Sequence, residues 1–438
     1  MREMREPLAA VTSRRPAMRW RACAPWLALV ALFVVPPLVS ALVSAHASAH
    51  ALPAFAPQGW LLACLAQAAT MIVFALSYNL LLGETGLLSF GHAAPAGIGA
   101  FVAAHLFNRH AMALPLLPLA GGLGGAAFGV LTALVAARRA GTAFAMITLG
   151  LGELVAAAAW ALPGAFGGEA GIGIDRASGP AWAGWTFGPD LQAYWVIAAW
   201  CLLASAAMFA LSRTPFARLA NAVRDNPVRA AALGVAPARA RAAMIVWSAG
   251  FAGVAGTLAL INIELAAAEG VGMMRSAAVL IATVTGGTAS FFGPVLGALV
   301  WVAFSVGIAS VTRAWMLYVG LFFIAVVLAA PDGLAGFVAR QRAWIARYGW
   351  RRGARAWAAG AFAAASGALA FVLAVQWAYA ARLRDADPGA WLAALTPRGA
   401  WWLAGAIVVL AAFAVAGAHR ARSMARALRS LDRQENTR

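Results

Sequence analysis

The sequence predicts an all-α, polytopic integral membrane protein, with about ten core transmembrane helices and two extra C-terminal spans at roughly twenty apolar residues each. Three observations predict it. Of 438 residues, 63% are hydrophobic and only 11% are charged, with mean hydropathy +0.79, which is a membrane composition and argues against a soluble enzyme. Apolar runs long enough to span recur from Pro25 to Ala418. The formal charge of +18 comes from arginine alone, because the chain contains no lysine, and the arginines collect in short segments between those runs. That is positive-inside sorting and contact with anionic membrane lipids, not a nucleic-acid footprint.

At the start, Arg2, Arg5, Arg14, Arg15, Arg19 and Arg21 precede the apolar run Pro25 to Val43, and Ser44 to Ala49 is small and alternating. A cleaved signal peptide and an uncleaved anchor both fit; the run is long for a signal core, which favours the anchor and makes 1–59 a basic N-terminus with a signal-anchor span.

A second span runs from Trp60 to Leu82, and a polar break follows it. YNLLLGETGLLSFGHAAPAGIGAF, Tyr78 to Phe101, holds Gly83, Gly86, Gly91, Gly97 and Gly99. Glycine at this density lets backbones approach closely or lets a helix end inside the bilayer. Broken helices at that depth need cover from protein or a water-filled path. Gly86, Ser89, Gly91, His92 and Gly97 are therefore candidates for a translocation path. His92 is open to two readings, facing a solute or bonding a neighbouring helix.

Met112 to Ala137 is the next span, ended by Arg138 and Arg139, and Thr142 to Leu162 follows with Glu153 in its middle. A lone charge there costs about 2.5 to 3.5 kcal/mol on insertion scales, so Glu153 is expected to face the bundle interior or a cavity. It acts in the path or bonds a neighbouring helix as the neutral acid. Pro163 to Asp190 is the longest stretch on the far side, glycine-rich, with Trp182 and Trp185 suited to an interfacial belt.

The span Leu191 to Leu211 leads into the largest polar interruption, Arg213 to Gly256, whose Arg213, Arg218, Arg224, Arg229, Arg239 and Arg241 mark the cytoplasmic side. Phe216 to Arg224 and Val228 to Leu233 are alanine-rich with helical spacing, and Asp225, Asn226 and Pro227 break them apart. Asp225 or Asn226 can cap the helix that Pro227 opens, Ala231 lies within it, and Gly234 closes it.

Four more apolar segments follow: Ala242 to Ile263, Met273 to Thr285, Pro294 to Ala309 and Trp315 to Ala329. Gly286, Gly287 and Gly293 form a second break, and paired breaks in two halves of a transporter point to a path between them. Asn262 and Glu264 near the outer end, with Glu269 in the following loop, either line the entrance or are solvated, and the solvated reading is favoured. The core is thus 60–337. The remainder, 338–438, carries a basic stretch from Arg340 to Arg355, two further spans (Ala358 to Ala380 and Ala400 to Ala418) and a basic tail, Arg420 to Arg433. An even number of spans places both termini in the cytoplasm.

Chemistry is sparse. Cys23, Cys64 and Cys201 have no paired spacing, so no metal site or disulfide is expected, and a chain without lysine cannot carry a phosphate-binding loop that ends in lysine. No catalytic residue and no cofactor is indicated.

Several motifs in order resemble those of the branched-chain amino acid permease family of ABC transporters. AVRDNPVRAAALGV is similar to its cytoplasmic coupling segment. GETGLLSFGHAAPAGIGAF is similar to GxxGxLSxGHAAFxGIGAY, departing at Pro95 and Ala96. Thr148 to Glu153 fits TLxxGE, Gly167 to Ile172 fits GGxxGI, and TGGTASFFGPVLGA fits GGxGSxxGPVLGA with Thr285 and Thr288 as departures. Pro331 to Leu334 fits the closing PxGL. The resemblance covers Trp60 to Phe337 and implies a permease subunit of an importer in the inner membrane. Its cargo would be branched-chain or related amino acids, or urea and short amides. The implied partners are ABC ATP-binding subunits docking on Arg218 to Gly234, a second permease subunit and a periplasmic substrate-binding protein. The competing class is a self-sufficient secondary transporter or channel for a small polar solute. That class predicts several intramembrane ionisable groups, and Glu153 stands nearly alone.

Overall fold

The computed structural model describes residues 17–47 and 58–382, apart from 311 and 349, and scattered positions between 405 and 423. It is helical almost throughout. In chain order the helices are α1 (Ala17–Ala47), α2 (Gln58–Thr85), α3 (Ala93–His110), α4 (Leu117–Ala136), α5 (Thr142–Ala161), α6 (Pro163–Phe166), α7 (Asp190–Ser212), α8 (Pro215–Asp225), α9 (Pro227–Ala232) and α10 (Pro237–Ile263). Then follow α11 (Met273–Gly286), α12 (Gly293–Val302), α13 (Trp315–Ala329), α14 (Gly333–Tyr348) and α15 (Trp350–Arg382). The strands β1 (Ile172–Gly173) and β2 (Leu265–Ala266) pair antiparallel.

Six helices among the described residues are long and apolar enough to cross a membrane, or seven if the bent pair Trp315–Ala329 and Gly333–Ala346 is one span. The sequence reading counts more because it treats short apolar runs as spans. α11 has 14 residues, about 21 Å at 1.5 Å per residue, against a hydrocarbon core about 30 Å thick. It is a half-length helix that turns back at Gly287 into α12, which itself continues into a π-helical stretch over Ala303–Ile308.

The described residues fall into two compact units, one drawn from the chain up to Val306 with Leu321–Ala335, the other from Gly307–Gly320 and the chain from Gly336 onwards. In the first unit α2 and α10 lie at the centre. Residues Ala68 to Leu81 of α2 are buried almost without interruption. α3, α4 and α10 pack backbone to backbone: a Cβ on Gly99 would sit 2.5 Å from Gly253 Cα, and one on Gly125 would sit 2.8 Å from the same atom. Such contact is open to glycine alone, and it compensates in close van der Waals packing for the hydrophobic drive that lipid does not supply.

In the second unit, Tyr318 meets Phe371 edge-on at 6.2 Å and Phe362 meets Phe413 at 6.1 Å. The expected span Ala358 to Ala380 lies within α15. The basic stretch Arg340 to Arg355 is helical wherever it is described. The first sixteen residues and most of Arg420 to Arg433 lie outside the described residues.

Candidate functional site: a helix break tied to a capped helix pair

Polar groups are costly inside an apolar bundle unless bonded, so their bonding locates the site. α2 ends at Thr85, and the chain then crosses back through Gly86–His92 before α3 starts at Ala93. Gly86 takes φ +69°, a left-handed turn that favours glycine. The returning loop is pinned by Tyr78, whose hydroxyl donates to the Ser89 carbonyl at 2.8 Å and accepts from the Ser89 N–H at 3.3 Å. The N–H of Phe90 donates to Thr148 Oγ1 of α5, and that of Ala93 to Ser276 Oγ of α11 at 2.9 Å.

His92 is buried at this break. Its Nε2 shares a hydrogen bond of 3.0 Å with Ser77 Oγ, while the Ser77 carbonyl accepts from Ser248 Oγ of α10. Its ring stacks on Phe74 at 5.5 Å and meets Tyr78 edge-on at 5.0 Å. The hydrogen bond is to a side chain of α2 rather than to helix backbone, and His92 also faces the gap beside the break. A small cavity adjoins it, lined by Ser89, Gly91, His92, Thr132, Thr148 and Ser248 among apolar residues. It leaves about 20 Å³ for the centres of water molecules, room for about one water, so the break is closed to an amino acid in this conformation.

The arginine-rich segment behaves as its sequence suggests. Thr214 caps α8, accepting from the Ala217 N–H at 3.3 Å. Asn226, not Asp225, caps α9, its Oδ1 accepting from the Arg229 N–H at 2.9 Å. Gly234, at φ +85°, closes the pair. Ala217, Ala220, Val223 and Ala230 pack inward, while Arg218, Leu219, Arg224, Val228, Arg229, Ala231 and Leu233 stay exposed. Two side chains then join α8 to the end of α2. Asn221 Nδ2 donates to Glu84 Oε2 at 2.7 Å, and the Arg224 guanidinium donates to the Gly83 carbonyl while pairing with Asp225 at 3.0 Å. A Cβ on Gly86 would meet the Arg224 side chain at 2.9 Å. The two motifs that the sequence treats separately are one joint.

At the opposite end of α10, Arg176 is buried and binds Glu264 at 2.7 Å and Asp190 at 2.9 Å. Glu264 therefore does not stand free in solvent as the sequence reading expects. It stops α10 in a left-handed conformation at φ +61°, and its carbonyl accepts from the Ile174 N–H beside the β1–β2 pair. The glycine-rich stretch is thereby folded over the bundle as a bonded cap, with Asn108 Nδ2 donating to the Gly173 carbonyl at 2.9 Å.

Glu153 lies differently from its expectation. It is exposed on the outer face of α5, beside Leu154, and not in this chain's interior. The periodicity of α5 turns Thr148, Gly152 and Val155 inward, which sends Glu153 out. Gly97 packs against Val271 and lines a second cavity. Gly286, Gly287 and Gly293 line neither cavity; they pack against one another, with Gly287 also against Asp332 and Gly333. Glu84, Asn221 and Arg275 were missed by the sequence reading. Glu84 sits at a variable position of the first glycine motif and Asn221 just ahead of the coupling motif, and Arg275 is hidden inside an apolar run counted as a span.

Among the described residues, no cluster of His, Cys, Asp or Glu could hold a metal ion. Broken helices round a closed polar gap, joined to a capped helix pair among arginines, define the class as a polytopic helical membrane protein. Residues 60–330 match the family described as branched-chain amino acid transport system, permease component, and the chain belongs to that family. Two relatives are each 28% identical to it over 285 residues, covering 60% of this chain and 67% of their own. They are the high-affinity branched-chain amino acid transport system permease proteins LivM of Salmonella typhimurium strain LT2 and Escherichia coli strain K12. No solved structure matches the chain.

Proposed function

We propose that this chain is a permease subunit of an ABC importer of the bacterial inner membrane. It moves branched-chain or related amino acids, and partner ATPases drive it by docking on α8 and α9. The supporting observation is the surface of that helix pair. Leu219, Val228 and Leu233 are 43%, 78% and 78% exposed, and Arg218, Arg224 and Arg229 surround them. Scattered exposed apolar residues are normal, but these stand on two short helices capped at both starts and bonded to the helix break. Orientation in the membrane needs only the arginines. The knobs, caps and the Asn221–Glu84 bond have a use when something presses there.

On this reading the arginine-rich end is cytoplasmic, as are both termini. The Arg176 cap faces the periplasm, where a substrate-binding protein delivers cargo. The exposed face of α5 meets the second permease subunit, which removes Glu153 from lipid. The test is purification of the tagged chain in mild detergent from its host, with mass-spectrometric identification of what accompanies it. ATP-binding subunits and a second permease are expected. Reproducible recovery of this chain alone in several detergents would transfer the assignment to a self-sufficient transporter.

A further inference from the structure

We propose that Arg275 is a specificity-determining residue of this permease, binding the carboxylate of the transported amino acid. The proposal rests on the importer reading for the word transported, but the anion site stands on its own geometry. Arg275 lies in the first turn of α11, half-buried against Phe74 of the central helix α2. Among the described residues, its guanidinium has no carboxylate within 4.0 Å and makes no hydrogen bond; its one contact of note is the Phe74 ring, 5.8 Å away. An arginine packed among membrane helices without a counter-ion is costly and points to a solute or ion path.

The cavity beside it supplies the place. Gly97, Ala100, Gly256, Ala259 and Gly270 line it between α3, α10 and the segment leading into α11. Arg275 is the one polar side chain among the lining residues. About 40 Å³ is open to the centres of water molecules, twice the room beside His92 and space for about two waters or one carboxylate group. A planar guanidinium grips a carboxylate through two parallel N–H bonds, which a neutral amide cannot return with equal strength. The site is also placed for onward transfer. The Phe74 ring centre is 5.8 Å from the Arg275 guanidinium carbon and 5.5 Å from the His92 ring, and His92 lines the cavity at Ser89–His92.

The first experiment uses the intact complex in proteoliposomes with its binding protein, comparing uptake of L-leucine with that of L-leucinamide in wild type, Arg275→Lys and Arg275→Gln. Arg275→Gln should lower the leucine to leucinamide ratio about tenfold, with Arg275→Lys between. An unchanged ratio, or an equal fall for both probes, would overturn the proposal and leave Arg275 a structural or lipid-phosphate contact. The second experiment does not need an importer. Melting of the purified full chain in detergent without anionic lipid is followed with propionate or propionamide added. Propionate should raise the melting temperature of wild type and not of Arg275→Gln; an equal response in both proteins would refute the site. A wild-type chain that responds to propionate yet carries no leucine and recovers no ATPase would sink the importer reading alone.

Discussion

The Asn221–Glu84 hydrogen bond gives the sharpest test of how a docking segment could act on the helix break. Asn221→Ala removes the 2.7 Å bond from α8 to the Glu84 carboxylate at the end of α2. A hydrogen bond to a charged group contributes about 1.5 to 3 kcal/mol; this one is only part-buried, which favours the lower end. If that bond stabilises the docked geometry and not the relaxed one, its loss removes about 1.5 kcal/mol of coupling, or roughly tenfold. The assay is the reconstituted complex in proteoliposomes, read as solute moved per ATP hydrolysed. Asn221→Ala should lower that ratio about tenfold while the amount of co-purifying ATPase is unchanged. Glu84→Ala should do the same, and the double variant should be no worse than either, because residues in one interaction are not additive. Asn221→Asp should be at least as damaging, since it sets two carboxylates face to face. A ratio within twofold of wild type would refute the reasoning. So would strict additivity of the two alanine variants.

Three further outcomes follow from the same geometry. Tyr78→Phe leaves the buried Ser89 carbonyl and N–H without their hydroxyl partner, and should cost about 1 to 3 kcal/mol; a lower melting temperature with faster hydrogen exchange over 86–92 checks it, and unchanged exchange would show that the loop is held otherwise. Arg176→Ala should loosen the cap, at about 1 to 2 kcal/mol because both carboxylate partners are partly exposed, and speed exchange at 172–176 and 264–266 without affecting 215–232. Glu153→Gln should keep the second permease in the purified complex and lower leucine uptake if the carboxylate lines the path between subunits; full uptake would leave it a packing group.

Much of the fold was legible because apolar runs and arginine clusters report directly on spans and on the ends of spans. The capped helix pair was legible too, since Asn226 before Pro227 and Gly234 after Leu233 have few other uses. Direction was harder. Glu153 was expected inside because charge is costly in lipid, yet the inward positions of α5 are taken by Thr148, Gly152 and Val155, and a single chain's sequence does not say which face a partner covers. Glu264 read as solvated because its partner Arg176 lies 88 positions away, and such a pairing leaves no local pattern. The same holds for Asn221 and Glu84, which are 137 positions apart.

The stretch from Gly83 to Ala93 is where these distant pairings converge. At one end Arg224 and Asn221 hold Gly83 and Glu84. At the other, the Ala93 N–H is bonded to Ser276, one residue from Arg275. Spatial intermediacy alone does not make a coupling route; a route needs an element with two arrangements that both sites bias. The left-handed turn at Gly86 and the small gap beside His92 are the features that would let this stretch take a second arrangement. A movement of α8 would then pull on the end of α2, and the loop could re-form only by exchanging its bonds to Tyr78, Thr148 and Ser276. Those three residues belong to α2, α5 and α11. Displacing this one loop therefore changes the bonding of three helices at once, and one of them carries Arg275 while another presents Glu153 on its outer face.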